Sequence, residues 1–212
     1  MSIVKDTIAI TAITLVAGLA LGVVQDITAD PIAQQQEQSK QEAYKAVFED
    51  ADSFEVYDVD ADALAANLAE NNFNAQTINE IMEAKDASGE TIGYALNVTD
   101  SEGYGGDIQF TMGIQNDGTL NGISILSISE TAGLGMRAKT DPAFLAQFNG
   151  ASVDKFTVVK DGTGSSSEDK IDAIGGSTVT SKAVTKGINT ALAVFKELKS
   201  ENVKTVGGAS IE

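Results

Sequence analysis

The first strong pattern along the chain is an uncharged apolar run over residues 7–24, Thr-Ile-Ala-Ile-Thr-Ala-Ile-Thr-Leu-Val-Ala-Gly-Leu-Ala-Leu-Gly-Val-Val. A helix of that length spans roughly 27 Å at 1.5 Å per residue, close to the hydrocarbon thickness of a bilayer. Thr7, Thr11 and Thr14 fall inside it, where their hydroxyls can bond back to the helix backbone at little cost. Gly18 and Gly22 form a small-residue pair that suits close packing of membrane helices, though the spacing also arises by chance. Pro31 is expected to mark the exit from this segment. Residues 34–48, rich in Gln, Glu, Lys and Ala, are predicted to form a polar stalk helix.

Farther along, residues 54–59 alternate as a strand does, and Asp60 is placed to cap a short Ala-rich helix ending near Asn71. Residues 77–85 fit either type. Residues 91–98, 108–114 and 120–128 read as strands, and Asn116-Asp117-Gly118 between the last two predicts a hairpin. A Gly133-Leu134-Gly135 loop follows. Asp141-Pro142 then opens a short helix whose apolar face is Phe144, Leu145 and Phe148, with Gly150 past its end. Residues 155–159 read as a strand and 162–169 as a polar loop. Val184, Ile188, Leu192, Phe195 and Leu198 fall on one stripe of a helix reaching about Ser200, and the tail from 201 is expected to fray. Strands grouped before helices predict an α+β domain with an antiparallel sheet rather than alternating βαβ units. The expected organisation is an anchor over 1–30, a juxtamembrane stalk over 31–50 and one domain over 51–212. No repeat and no dinucleotide fingerprint is present, since Gly133-Leu134-Gly135 lacks a third Gly.

Charge and composition narrow the chemistry. Fourteen basic against 31 acidic residues give a net charge of −17 over 212 residues, which argues against nucleic acid as a partner. The acidic residues between Glu49 and Glu70 suit a solvated face better than a cation site. With neither Cys nor His, the chain has no disulfide, no thiolate metal site and no Ser-His-Asp triad. What remains is carboxylate chemistry or a borrowed cofactor, and no carboxylate pair stands out for hydrolysis. A cleaved signal peptide is the alternative to an anchor. Its basic region would be only the N-terminal amine and Lys5, and Gly22-Val23-Val24-Gln25 offers no small-x-small cleavage site. A retained anchor is therefore expected. Lys5 precedes it while Asp26 and Asp30 follow, which predicts a cytoplasmic N-terminus and an extracytoplasmic main domain.

The most informative local chemistry lies at residues 172–181, Asp-Ala-Ile-Gly-Gly-Ser-Thr-Val-Thr-Ser, just before the last helix. A Gly pair permits a turn that residues with a Cβ resist. Ser177, Thr178, Thr180 and Ser181 crowd a helix start, where unpaired amides and the dipole favour a phosphate. On local chemistry alone, capping hydroxyls after a glycine turn are the commoner reading.

This segment resembles the flavinylation motif of the FMN-binding-domain family, Asp-x-x-Ser/Thr-Gly-Ala-Thr, which carries FMN on its last Thr. Asp172, Gly176 and Thr178 match; Gly175 stands for the family Ser/Thr and Ser177 for its Ala. Glu130-Thr131-Ala132-Gly133-Leu134-Gly135 resembles the family's Glu-Thr-Pro-Gly-Leu-Gly, and Gly103-Tyr104-Gly105-Gly106 is similar as well. With the N-terminal anchor, the likeness is greatest to members that serve as the G subunit of the Rnf complex, the ion-translocating ferredoxin:NAD oxidoreductase. It implies a single transmembrane helix carrying an extracytoplasmic FMN-binding domain. Such a chain is a flavoprotein component of a translocase, not an enzyme on its own.

The resemblance further implies FMN held covalently as a phosphoester on Thr178, with Thr180 the second choice. Other membrane subunits would be its partners, a flavin transferase would mature it, and Asp172 would belong to the transferase's recognition sequence. Gly176, Ser177, Ser181, Glu130, Thr131, Gly133, Leu134 and Gly135 are the further candidate contacts. Tyr104, Leu134 and Met136 are candidates to pack on the ring, and Arg137 or Lys139 to stabilise a reduced anionic flavin. Two other readings stay open. One is the C subunit of a sodium-translocating NADH:quinone reductase. The other is an anchored binding or scaffold module without a cofactor.

Overall fold

The computed structural model describes residues 3–200, so the expected fraying from 201 lies outside the described residues. The chain divides into two compact units between Gln41 and Glu42. Helix α1 (Ile3–Val47) crosses the boundary between them and continues through Pro31, where the sequence predicts the exit from the membrane segment. Proline removes one backbone donor and crowds the preceding turn. The Ala, Gln, Glu and Lys residues that follow favour helix strongly enough for it to resume. Thr7, Thr11 and Thr14 donate to the carbonyls of Ile3, Thr7 and Ile10 at 2.9, 2.9 and 3.1 Å, so these hydroxyls are satisfied inside the helix. The apolar part of α1 is long enough to cross a membrane, and its side chains are exposed.

The second unit is built on an antiparallel meander of β1 (Ser53–Val56), β2 (Gln76–Lys85), β3 (Thr91–Asp100), β4 (Ile108–Gln115) and β5 (Leu120–Ile128), paired in chain order. The hairpin at 116–118 forms as expected. Gly118 takes φ +90, its N–H donates to Gln115 O, and Asp117 Oδ1 accepts from Thr119 N. Asp60 caps α2 (Ala61–Glu70) by accepting from Asp62 N and Ala63 N.

Alternate residues on the sheet face two separate clusters. Ile81, Leu96, Val98, Phe110 and Met112 point toward α5 (Thr178–Lys199). Met82, Ala84 and Ala95 point the other way, onto Tyr44, Val47 and Phe48. Glycine permits both close approaches: a Cβ on Gly113 would lie 2.7 Å from Val47 O, and one on Gly187 of α5 would lie 2.8 Å from Phe110 Cζ.

Two short helices, α3 (Arg137–Thr140) and α4 (Pro142–Ala146), follow β5; Pro142 opens α4 and Asp141 caps it through Ala143 N. The strand expected over 155–159 shortens to β6 (Thr157–Val159). It pairs in parallel with β7 (Lys170–Asp172), a partner too short to show any alternation in the sequence.

Candidate functional site

Three segments distant in sequence meet at one end of the second unit: the loop after β3, the loop after β5 and the N-terminus of α5. They enclose a cavity of about 580 Å³. Tyr104 comes from the first segment; Glu130, Thr131, Leu134 and Gly135 from the second; Gly176, Ser177, Thr178, Val179 and Thr180 from the third.

Local constraints explain why these segments fold together. Glu130, only 8% exposed, accepts the Tyr104 N–H at 2.8 Å through Oε1, joining the first loop to the second. Any side chain at Gly105 would overlap Ser129 O, so the two backbones lie in contact. Gly133 takes φ +74 and turns the second loop, closed by Leu134 N and Met136 N donating to Thr131 O. Gly135 is filled from the outside: a Cβ there would lie 2.6 Å from both Glu130 Oε2 and Thr180 Oγ1. In the third segment Gly176 takes φ +78 and Ser177 N donates to Ile174 O. The Ser181 hydroxyl pins that turn, accepting from Ile174 N and donating to Ser177 O, both at 2.9 Å.

Most of the nominated residues therefore converge on the cavity. Gly133 shapes the turn without lining it, and Ser181 is fully buried in its structural bonds. Arg137 and Lys139 do not line it either. Arg137 pairs with Asp141 at 2.7 Å and Lys139 Nζ donates to Leu126 O at 3.2 Å, because α3 turns both away. Met136 and Asp172 are also absent from the lining. Asp172 instead accepts Gly164 N at 3.1 Å, while Gln147 brackets its backbone N and O at 2.8 and 3.2 Å. Val179 was missed; the available signal was an apolar residue in the first turn of α5 lying off the buried stripe.

Ser177 is the most telling residue. It is the N-cap of α5 yet makes no capping bond, and its Oγ is buried without a partner. The first amides of a helix have no intrahelical acceptor and carry the positive end of the dipole. A buried unsatisfied hydroxyl beside them is costly unless something accepts from it or donates to it. Phosphate oxygens meet that need. Around the mouth stand Tyr104, Leu134 and Val179, exposed by 75, 44 and 50%. Outside α1, Val56 is the only other large hydrophobic so exposed among the described residues. Apolar side chains flanking a helix start suited to an anion fit a ligand with a planar ring and a phosphate.

A polar cluster supports the first loop from below. Fully buried Asp100 accepts Glu102 N at 2.8 Å and Gln76 Nε2 at 2.6 Å; Lys186 of α5 pairs with Glu102 at 2.6 Å. Burial pushes the Asp100 carboxyl above its ordinary value, whereas the Lys186 bond holds Glu102 below its own. A carboxyl raised by folding binds its proton more tightly in the native state. Its contribution is present below the unfolded value and is lost as pH rises through the raised one. Glu102 acts oppositely and at lower pH, but its pair is partly exposed and worth little. Asp100→Asn is thus expected to gain urea resistance relative to the parent as pH rises from 4 to 7. A constant difference across that range would refute the assignment.

A family model described as the FMN-binding domain matches residues 103–193, a span containing all three cavity segments. The chain is 34% identical to the G subunit of the Na(+)-translocating ferredoxin:NAD(+) oxidoreductase complex of Acetobacterium woodii, covering 88% of each chain. It is 33% identical to the G subunit of the proton-translocating ferredoxin:NAD(+) oxidoreductase complex of Clostridium ljungdahlii, over 89% of this chain and 92% of the relative. A solved structure, NqrC of Shewanella oneidensis, aligns with a TM-score of 0.46 at 21% identity, over 57% of this chain and 61% of the other.

Proposed function

Since the chain belongs to the family of G subunits of ion-translocating ferredoxin:NAD oxidoreductase complexes, we propose that it relays electrons through FMN esterified to Thr178. The flavin supplies the redox chemistry when bound; the chain supplies attachment, orientation and charge. The unpartnered Ser177 hydroxyl at the start of α5 carries this reading, because a buried hydroxyl next to Thr178 suits a phosphate oxygen.

The residues divide the work. Ser177 Oγ and the first amides of α5 solvate the phosphate. Thr178, half-buried at the cavity edge, offers the ester oxygen. Thr180 is 1% exposed and faces the space of Gly135, which leaves little room for an ester there. Tyr104, Leu134 and Val179 flank the ring and exclude water from its faces. The two motif departures are compatible with this use. Gly175 has open space where the family carries a hydroxyl, and Ser177 adds a hydroxyl on the phosphate side.

On this reading the protein works inside a membrane oxidoreductase with other subunits as electron partners. Residues 1–30 anchor it, 31–50 form the stalk and 51–212 the flavin domain. A flavin transferase attaches the cofactor. Lys5 before the apolar run and Asp26 and Asp30 after it favour a cytoplasmic N-terminus with the domain outside.

The full chain, purified in detergent after co-expression with and without a flavin transferase, tests the proposal by intact mass and peptide mapping. A gain of one FMN on the peptide containing Thr178, only with the transferase, is the expected result. An unmodified, colourless chain despite an active transferase would favour the cofactor-free binding module.

A further inference from the structure

The cavity contains one charged side chain among its described lining residues, and it is negative. Glu130 faces it from the second loop. The nearby cations are committed elsewhere or lie outside the lining: Arg137 to Asp141, Lys139 to Leu126 O, Lys186 to Glu102, with Lys182 exposed on α5. The sequence led to the opposite expectation, a cation stabilising a reduced anionic ring.

We infer that Glu130 is a charge-tuning residue that makes the flavin harder to reduce, while its Oε1 holds Tyr104 in place. The inference rests on the flavin reading above. Two electrons and one proton added to the oxidised ring leave it with one extra negative charge. A carboxylate 8% exposed, in the same cavity, opposes that charge with little screening. The helix dipole at Ser177 acts at the phosphate end and falls off within a turn, so it does not cancel Glu130 at the ring. Oε1 is occupied by the Tyr104 N–H, whereas Oε2 lies beside the space above Gly135.

The two roles separate by substitution. Glu130→Gln keeps a carbonyl oxygen for the Tyr104 N–H and removes the charge. Glu130→Asp keeps the charge and withdraws it by one methylene. Glu130→Ala removes both. The full chain loaded with FMN would be titrated with dithionite as two-electron donor, water supplying the proton, beside a reference dye of known potential, and the midpoint read from the flavin and dye absorbances at equilibrium. Glu130→Gln is expected to favour reduction about tenfold, a shift of about 30 mV to more positive potential for a two-electron couple. Glu130→Asp should stay near the parent.

Amide exchange at Tyr104, measured without flavin, should remain slow in Glu130→Gln and become fast in Glu130→Ala. A loaded Glu130→Gln protein with the parent's midpoint would overturn the inference. So would failure of every Glu130 variant to take up FMN, because Glu130 would then be a binding contact. A parent chain that takes up no FMN would instead sink the flavin reading, and the exchange data would still decide the Tyr104 brace.

Discussion

Thr178→Ala is expected to abolish covalent flavin attachment while leaving the fold intact. The residue opens α5 and is half-buried, so losing one hydroxyl and one methyl there should change stability by no more than about 0.5 kcal/mol. Alanine is also the better helix former. The chemical loss, by contrast, is complete: without a hydroxyl at 178 no phosphoester forms at this position. Thr178→Ser restores an ester oxygen on the same backbone and should recover the adduct. Thr180→Val, nearly the same size and lacking the hydroxyl, should leave attachment at Thr178 unchanged. Intact mass and flavin fluorescence of the denatured chain read all three. An adduct that persists in Thr178→Ala and maps to Thr180 would move the site by two residues and keep the flavoprotein reading.

The parts of the fold legible in the sequence are those with local causes. Turn chemistry placed the hairpin at 116–118, and helical periodicity placed the buried stripe of α5. β2 stayed ambiguous because it is covered on both faces. Ile81 packs toward α5 and Met82 toward Tyr44 and Phe48, so adjacent residues are both buried and the alternation is lost. A bulge between Ile78 and Glu80 breaks the period again.

The candidate site was legible for a different reason. Its three segments were recognised by motif resemblance, since no periodicity links Tyr104, Glu130 and Ser177. What resemblance left out was direction. Arg137 and Lys139 follow the Gly-Leu-Gly loop closely in sequence, yet the turn into α3 carries both away from the cavity. Glu130 was nominated as a contact, and its bond to Tyr104 N became visible only once the loops were side by side.

The site's geometry depends on how α5 is seated, and that makes Phe110 a residue whose loss should cost both stability and the site. Its ring is fully buried on β4 under α5, with Gly187 directly above it. Phe110→Ala leaves a cavity beneath the helix and is expected to cost about 3–5 kcal/mol in urea unfolding. That is a large fraction of the roughly 5–15 kcal/mol that holds a typical domain together. Because Gly176, Ser177, Thr178 and Thr180 all ride on the start of this helix, the variant should also take up less FMN from the transferase while it is still folded. Gly187→Ala probes the same contact from above. The added methyl meets the Phe110 ring at 2.8–2.9 Å, an overpacking cost of about 1–3 kcal/mol, partly offset by up to about 1 kcal/mol of helix propensity. Combining Gly187→Ala with Phe110→Leu gives the methyl room, so the double variant should be less destabilised than the sum of the singles, with a coupling of about 0.5–3 kcal/mol. Strictly additive costs would mean that α5 is not seated on this ring, and the cavity at its N-terminus would have to be held by the loop contacts through Glu130 and Gly105 alone.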